Sequence, residues 1–311
     1  MAFYLESINE QAKKDADGFA RECERRFDEK VADTAAMILD RMPASRVVFL
    51  SGPSGSGKTT TARKICDALK NLGIHAYSLS MDKYYTPPDP ETSPRTEDGE
   101  IDIESPFCLD LDLLIEHFTM LERGDEIIVP HFSFRTQSQD PLKFAPLTLG
   151  KDEIVIFEGI HALNDLLANK RPEAFKLYIS ARSDVESGGE VCFKRTWTRI
   201  MRRVVRDELF RGTDVTQTLK RWANVRVGEK KYISPFKFKA DLLFDSSMEY
   251  EIPAMKAFAL KAFTKIPEDG ERISELRSML PVLHEFEGID PAVVPPGSIL
   301  REFIGGGMYD Y

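Results

Sequence analysis

Residues 52–59 read Gly-Pro-Ser-Gly-Ser-Gly-Lys-Thr. These types at this spacing can hold phosphate. Gly52, Gly55 and Gly57 let the backbone come close to an anion and reach positive φ. Successive N–H groups, those of Ser54, Ser56 and Thr60 included, then point into one concavity. Lys58 can reach the β- and γ-phosphates, and the Thr59 hydroxyl can ligate Mg²⁺. The helix that follows turns its positive N-terminus toward the same anion.

Two carboxylates and a basic face extend that chemistry. Asp82 lies in Ser80-Met81-Asp82-Lys83-Tyr84-Tyr85, where it can take a proton from an attacking hydroxyl or hold a metal-bound water. The plainer reading is a turn or helix-capping aspartate. Glu158 ends the apolar run Ile154-Val155-Ile156-Phe157. A charge there is costly unless paired or used, and in phosphate-loop proteins such an acid faces the metal. Arg199, Arg202, Arg203 and Arg206 follow i, i+3, i+4, i+7 spacing and share a helix face. Arginine forks suit phosphate oxygens; the alternative is an exposed face paired with Asp207 and Glu208. None of the five histidines pairs at metal-ligand spacing, and His161 follows Glu158 by three residues.

The elements that must position these residues can be read from the apolar pattern. Arg46–Leu50, Ile74–Ser80, Ile154–Phe157, Lys176–Ser180 and Asp241–Phe244 read as strands, mostly separated by helical stretches. That alternation implies an α/β fold with a parallel sheet of about five strands covered on both faces. Such sheets bind ligands beyond the carboxyl ends of their strands. The phosphate loop, Asp82 and Glu158 all follow such ends. Residues 1–43 read as an N-terminal helical extension, with Phe19, Cys23, Phe27, Val31, Ala35 and Ile38 forming one apolar stripe. It would dock on the core or on a neighbouring subunit, so a homo-oligomer is left open. A domain over 44–250 follows, with a helical lid at about 191–232. Residues 251–311 read as a C-terminal helical extension ending in a Gly-rich tail. Thr86–Ser105 and Pro130–Leu149 read as long loops, the second a candidate hairpin, and such loops are usually functional or mobile.

A net charge of −9 argues against general binding to nucleic acid or anionic membrane. Cys23, Cys66, Cys108 and Cys192 are far apart, which fits a reduced, cytoplasmic setting. No apolar run approaches the length of a membrane span.

In order along the chain stand the phosphate loop, Asp82-Lys-Tyr-Tyr85, Glu104-Ser-Pro-Phe-Cys-Leu-Asp110, Pro130-His-Phe-Ser-Phe134, Glu158-Gly-Ile160, Arg202-Arg203-Val-Val-Arg206-Asp207 with Arg211-Gly212, and Lys239-Ala-Asp241. Together they resemble the uridine kinase and phosphoribulokinase family of P-loop kinases from about Arg46 to Ser247. Trp222–Glu229 and Ile299–Gly306 resemble a bacterial uridine-kinase-like subgroup. The resemblance implies a P-loop NTPase fold, ATP and Mg²⁺ as cofactors, and a small-molecule acceptor, a ribonucleoside first of all. Asp82 matches the general base on the 5′-hydroxyl, and Tyr85 a tyrosine of the nucleoside pocket. Glu104 falls where an aspartate holds the ribose hydroxyls, with Asp102 a nearby alternative. Glu158 matches the acid that, with Thr59, holds Mg²⁺. Arg203, Arg206 and Arg211 match lid arginines that close over the phosphates.

The acceptor side departs from the pattern. Where the family shows Tyr-Asp, then His and Arg, this chain has Phe132-Ser133, then Gln137 and Gln139. A second arginine expected after Arg211-Gly212 is Thr213. Phe132 and Gln137 are therefore the expected base-side contacts of an altered pocket. A phosphoribulokinase-like kinase for another hydroxyl acceptor, or a nucleotide-dependent switch or scaffold, is the alternative.

Overall fold

The computed structural model describes residues 2–266 and 273–309. Five strands form the central sheet: β1 (Val47–Ser51), β2 (His75–Ser80), β3 (Glu153–Glu158), β4 (Phe175–Ser180) and β5 (Leu242–Asp245). Their order is β5-β4-β1-β3-β2, every pairing parallel. Each expected strand is present within one residue at either end.

The cores of the central strands, Val47–Leu50 and Ile154–Phe157, are apolar at every position because both faces are covered. Val48, Leu50, Ile154 and Ile156 enter one apolar cluster, while Val47, Phe49, Val155 and Phe157 enter the other. Alternate residues thus serve opposite layers, as the two-residue strand period demands. The helices include α1 (Leu5–Lys14), α2 (Ala16–Arg41), α3 (Lys58–Asn71), α4 (Leu111–Arg123), α5 (Arg195–Phe210), α6 (Val215–Gly228), α7 (Glu251–Phe263), α8 (Ile273–Glu285) and a short α9 (Arg301–Ile304). Residues of α2, α3, α5, α6, α7 and α9 fill the first cluster; α4 fills the second. Among the described residues no helix is long and apolar enough to cross a membrane.

Register brings the candidate residues to one end. Leu50 of β1 and Ser80 of β2 both lie opposite Glu158 of β3. The phosphate loop, the Asp82 turn and the Glu158 carboxylate therefore leave the sheet side by side.

Two local readings need correction. The N-terminal stretch is not one helix: Phe3–Tyr4 pairs with Val185–Glu186 as a strand, and Asp15 ends α1 and caps α2, its carboxylate accepting from the Gly18 N–H at 2.8 Å. The expected apolar stripe of α2 is buried in the protein's own core. The excursion expected to be helical from 191 opens instead with a hairpin, Glu190–Phe193 pairing antiparallel with Val185–Ser187. The last two tail residues, 310 and 311, and residues 267–272 of the C-terminal extension lie outside the described residues.

Candidate active site

The phosphate loop runs from the end of β1 into the first turn of α3. Gly55 and Gly57 adopt φ of +75° and +82°, values that side chains rarely allow. The Lys58 ammonium donates to the Pro53 carbonyl at 3.3 Å. Burial lowers its pKa, and the charges of Glu158 and Asp82 oppose that shift. The Thr59 hydroxyl donates to Glu158 Oε1 at 3.3 Å. Burial, with Asp82 adding to it, pushes the Glu158 carboxyl up to about 7. Hydroxyl and carboxylate at the mouth of a phosphate loop form a donor set that suits Mg²⁺, which favours one or two protein oxygens beside substrate phosphates. A divalent cation would relieve the crowded negative charge.

The arginines of α5 divide into two pairs with different duties. Arg199 is buried; it donates to both Glu229 oxygens at 3.0 and 2.8 Å and to the Ser54 carbonyl at 3.0 Å. Arg202, fully buried, donates to Glu251 at 2.8 Å, the Gly55 carbonyl at 3.2 Å and the Ser246 carbonyl at 2.9 Å. These two clamp the backbone of the loop from behind. Arg203 and Arg206 face the phosphate side. Arg203 donates to the Ser54 hydroxyl at 2.8 Å and lies 3.4 Å from Asp207. Arg206 lies 3.5 Å from both Asp207 and Glu302. Arg211 is exposed at the end of α5, 3.7 Å from Asp207. Asp207 thus gathers three guanidinium groups at the loop's edge.

On the acceptor side, Asp82 is exposed in a short turn over Met81–Tyr84 that the Ser80 hydroxyl caps, accepting the Asp82 N–H at 3.3 Å. The Tyr85 hydroxyl donates to the Ile103 carbonyl at 3.1 Å, and its ring meets Phe132 and Phe134 at 5.8 and 5.0 Å between centroids. These rings line a cleft of about 30 Å³, roughly room for one water. The Asp102 carboxylate accepts from the Glu104 N–H at 3.2 Å and the Tyr232 hydroxyl at 3.0 Å, so it braces the loop. Glu104 is the one of the two that faces the phosphate loop. Burial pushes its carboxyl up to about 7; Asp102 and Asp82 add to this, while Arg203 and Lys58 oppose it. A Cβ on Gly228, at the end of α6, would lie 2.4 Å from that of Glu104, so only glycine allows the approach.

Gln137 sits at the tip of the Phe132–Ser133/Ser138–Gln139 hairpin, φ +53°, with its amide donating to the Phe134 carbonyl at 2.8 Å. It lines the same cleft as Tyr85, Phe132 and Phe134. Gln139, absent from the expected site residues, instead donates to the Tyr85 carbonyl at 2.8 Å. His161 is buried beside Tyr232, ring centroids 6.3 Å apart, and burial lowers its pKa to about 3, leaving it neutral. Glu302 lies in the Ile299–Gly306 segment that resembles the bacterial subgroup, but it is not among the expected site residues.

The chain is similar to known proteins in sequence and in fold. The Phosphoribulokinase / Uridine kinase family profile matches residues 47–253. Uridine kinases of Staphylococcus haemolyticus (strain JCSC1435) and Staphylococcus aureus (strain JH9) are each 30% identical over 205 residues, covering 65% of this chain and 88% of theirs. Among solved structures, a chain of Silicibacter sp. TM1040 described as a candidate fructose transport system kinase superposes with a TM-score of 0.50 at 19% identity. That match covers 69% of this chain and 98% of the other, and it speaks to the fold alone.

Proposed function

The chain belongs to the phosphoribulokinase and uridine kinase family of kinases, and from that premise we propose that it transfers the γ-phosphoryl group of ATP to the 5′-hydroxyl of a ribonucleoside of the uridine or cytidine type. The observation that carries this reading is the convergence of Lys58, Thr59, Glu158, Asp82 and Glu104 at the carboxyl end of the sheet, each charge acting on its neighbours. In this reading the phosphate loop and Lys58 hold the donor. Thr59 and Glu158 would hold Mg²⁺, which when bound neutralises phosphate charge. Asp82 orients the acceptor hydroxyl and accepts its proton, a role worth roughly 10²–10⁴ in rate. Glu104 accepts from the ribose hydroxyls. Arg203, Arg206 and Arg211 close over the transferring group and exclude water.

A second reading, a sugar-like or phosphorylated acceptor, is favoured by one observation: the cleft that Tyr85, Phe132 and Phe134 line holds about 30 Å³, roughly room for one water and far less than a base. ADP release measured over uridine, cytidine, purine nucleosides and a set of sugar phosphates separates the two. Turnover confined to pyrimidine nucleosides supports the first reading; turnover confined to sugar phosphates replaces it with the second. Nucleotide binding with no turnover on any acceptor favours a switch.

A further inference from the structure

The C-terminal segment, beyond the family's matched range of 47–253, lies along the first helix of the phosphate site. It covers one face of α3. The Thr60 N–H and hydroxyl donate to Glu302 Oε2 at 3.4 and 2.8 Å. Lys64 donates to the Gly297 carbonyl at 3.0 Å, and the Tyr309 hydroxyl donates to Asp67 at 2.6 Å. The Arg63 guanidinium lies 5.9 Å over the Tyr309 ring. Positions 60, 63, 64 and 67 are one stripe of a helix. The same segment reaches the arginine helix. Glu302 Oε1 lies 3.5 Å from Arg206, and the Phe303 ring lies under Arg202 and Arg206 at 5.3 and 5.9 Å.

Thr60 directly follows the lysine and threonine of the phosphate loop, so its N–H belongs to the first turn of α3, where donors reach for acceptors outside the helix. In a phosphate loop such donors cradle α/β-phosphate oxygens. Here a carboxylate oxygen has both Thr60 donors, and its other oxygen has Arg206. We propose that Glu302 is a phosphate surrogate: its carboxylate holds the seat of a donor phosphate on Thr60 and keeps Arg206 drawn aside until a nucleotide displaces it. The inference rests on the donor-site reading above.

The surrounding segment is fixed. Ile299, Leu300 and Phe303 are fully buried, and Ile299 packs within 3.5 Å of where a side chain on Gly57 would begin. In this proposal the moving part is the Glu302 side chain. When it swings away, Arg206 loses one of its two carboxylate partners and becomes available to the incoming phosphates. A donor nucleotide thus competes with a built-in anion, and the protein holds its loop and arginine in order while empty.

Glu302→Gln keeps the shape and removes the charge. Calorimetric titration with ATP in the presence of Mg²⁺ should show binding at least tenfold tighter than in the unaltered protein. In turnover assays KM for ATP should fall in step, with kcat and the acceptor KM within about threefold. Glu302→Ala should behave alike, and thermal unfolding verifies that both variants fold. Unchanged or weaker ATP binding in both folded variants overturns the proposal. If neither the unaltered protein nor a folded variant binds ATP at millimolar concentration, the donor reading itself fails, and this inference with it.

Discussion

The Arg202 guanidinium donates both to the Glu251 carboxylate and to the Gly55 carbonyl, so a single buried ion pair fastens the phosphate loop to the first turn of α7. Arg202 is fully buried and Glu251 nearly so. Removing one partner leaves the other charge without compensation, which costs about 3–5 kcal/mol. Glu251→Gln should accordingly lower stability by about that amount in urea unfolding. Arg211 is exposed, and Arg211→Gln should change stability by only about 0.5 kcal/mol. Its turnover should nevertheless fall by about 10² or more, as expected for a lost charge-stabilising donor. An Arg211 variant that is unstable but fully active would reverse the division of labour among these arginines.

Asp82 tests the hydroxyl-activating step. It stands exposed at the rim, its backbone held by the Ser80 cap, so Asp82→Asn leaves the fold and the phosphate loop intact. ATP binding by titration should be unchanged, while kcat falls by about 10²-fold or more. Full turnover in this variant would remove Asp82 from the chemistry.

Glu104 carries a pH signature. Its carboxyl has a pKa of about 7, raised from 4.5 mainly by burial. A carboxyl with a raised folded pKa prefers to be protonated in the folded state. That preference stabilises the fold fully below about pH 4.5 and is lost as pH rises through about 7. At pH 8 the buried charge therefore opposes folding, by at most about 3 kcal/mol. Glu104→Gln should raise the melting temperature at pH 8 and leave it nearly unchanged at pH 5. The same variant should raise the acceptor KM about tenfold or more, because an amide replaces a charged acceptor of hydroxyl bonds. Equal melting shifts at both pH values would show that Glu104 is not the titrating group.

The middle of the sheet was legible because burial on both faces forces apolar runs there, and the phosphate loop because its glycines and lysine have few other uses at that spacing. Asp82 and Glu158 could be placed by the rule that ligands gather beyond strand ends, and the register of Ser80 against Glu158 is the physical form of that rule. The arginine face was legible only as a face. Spacing in α5 could not separate Arg199 and Arg202 from Arg203 and Arg206, because the discriminating partners, Glu229 and Glu251, stand 30 and 49 residues away. Glu302 is harder still, at 242 residues from Thr60. Gln137 and Gln139 differ by two positions, yet the hairpin turn sends one to its own loop and the other to Tyr85. Such contacts are set by tertiary packing, which local pattern does not encode.

Thr59 and Glu158 form the last test. Their oxygens lie 3.3 Å apart, joining the start of α3 to the end of β3. If the two share one cation, each removal should weaken the same event. Thr59→Ala and Glu158→Gln should each raise the Mg²⁺ concentration needed for half-maximal turnover by about 10–100-fold. Residues in one network couple, so the double variant should lose less than the product of the single losses. Chelation of Mg²⁺ should abolish turnover in the unaltered protein and restore it on readdition. Glu158→Gln also removes a carboxyl that burial holds near 7, so without metal it should be at least as stable as the parent at pH 8. A variant that loses stability instead of metal dependence would make Glu158 a structural anchor for α3.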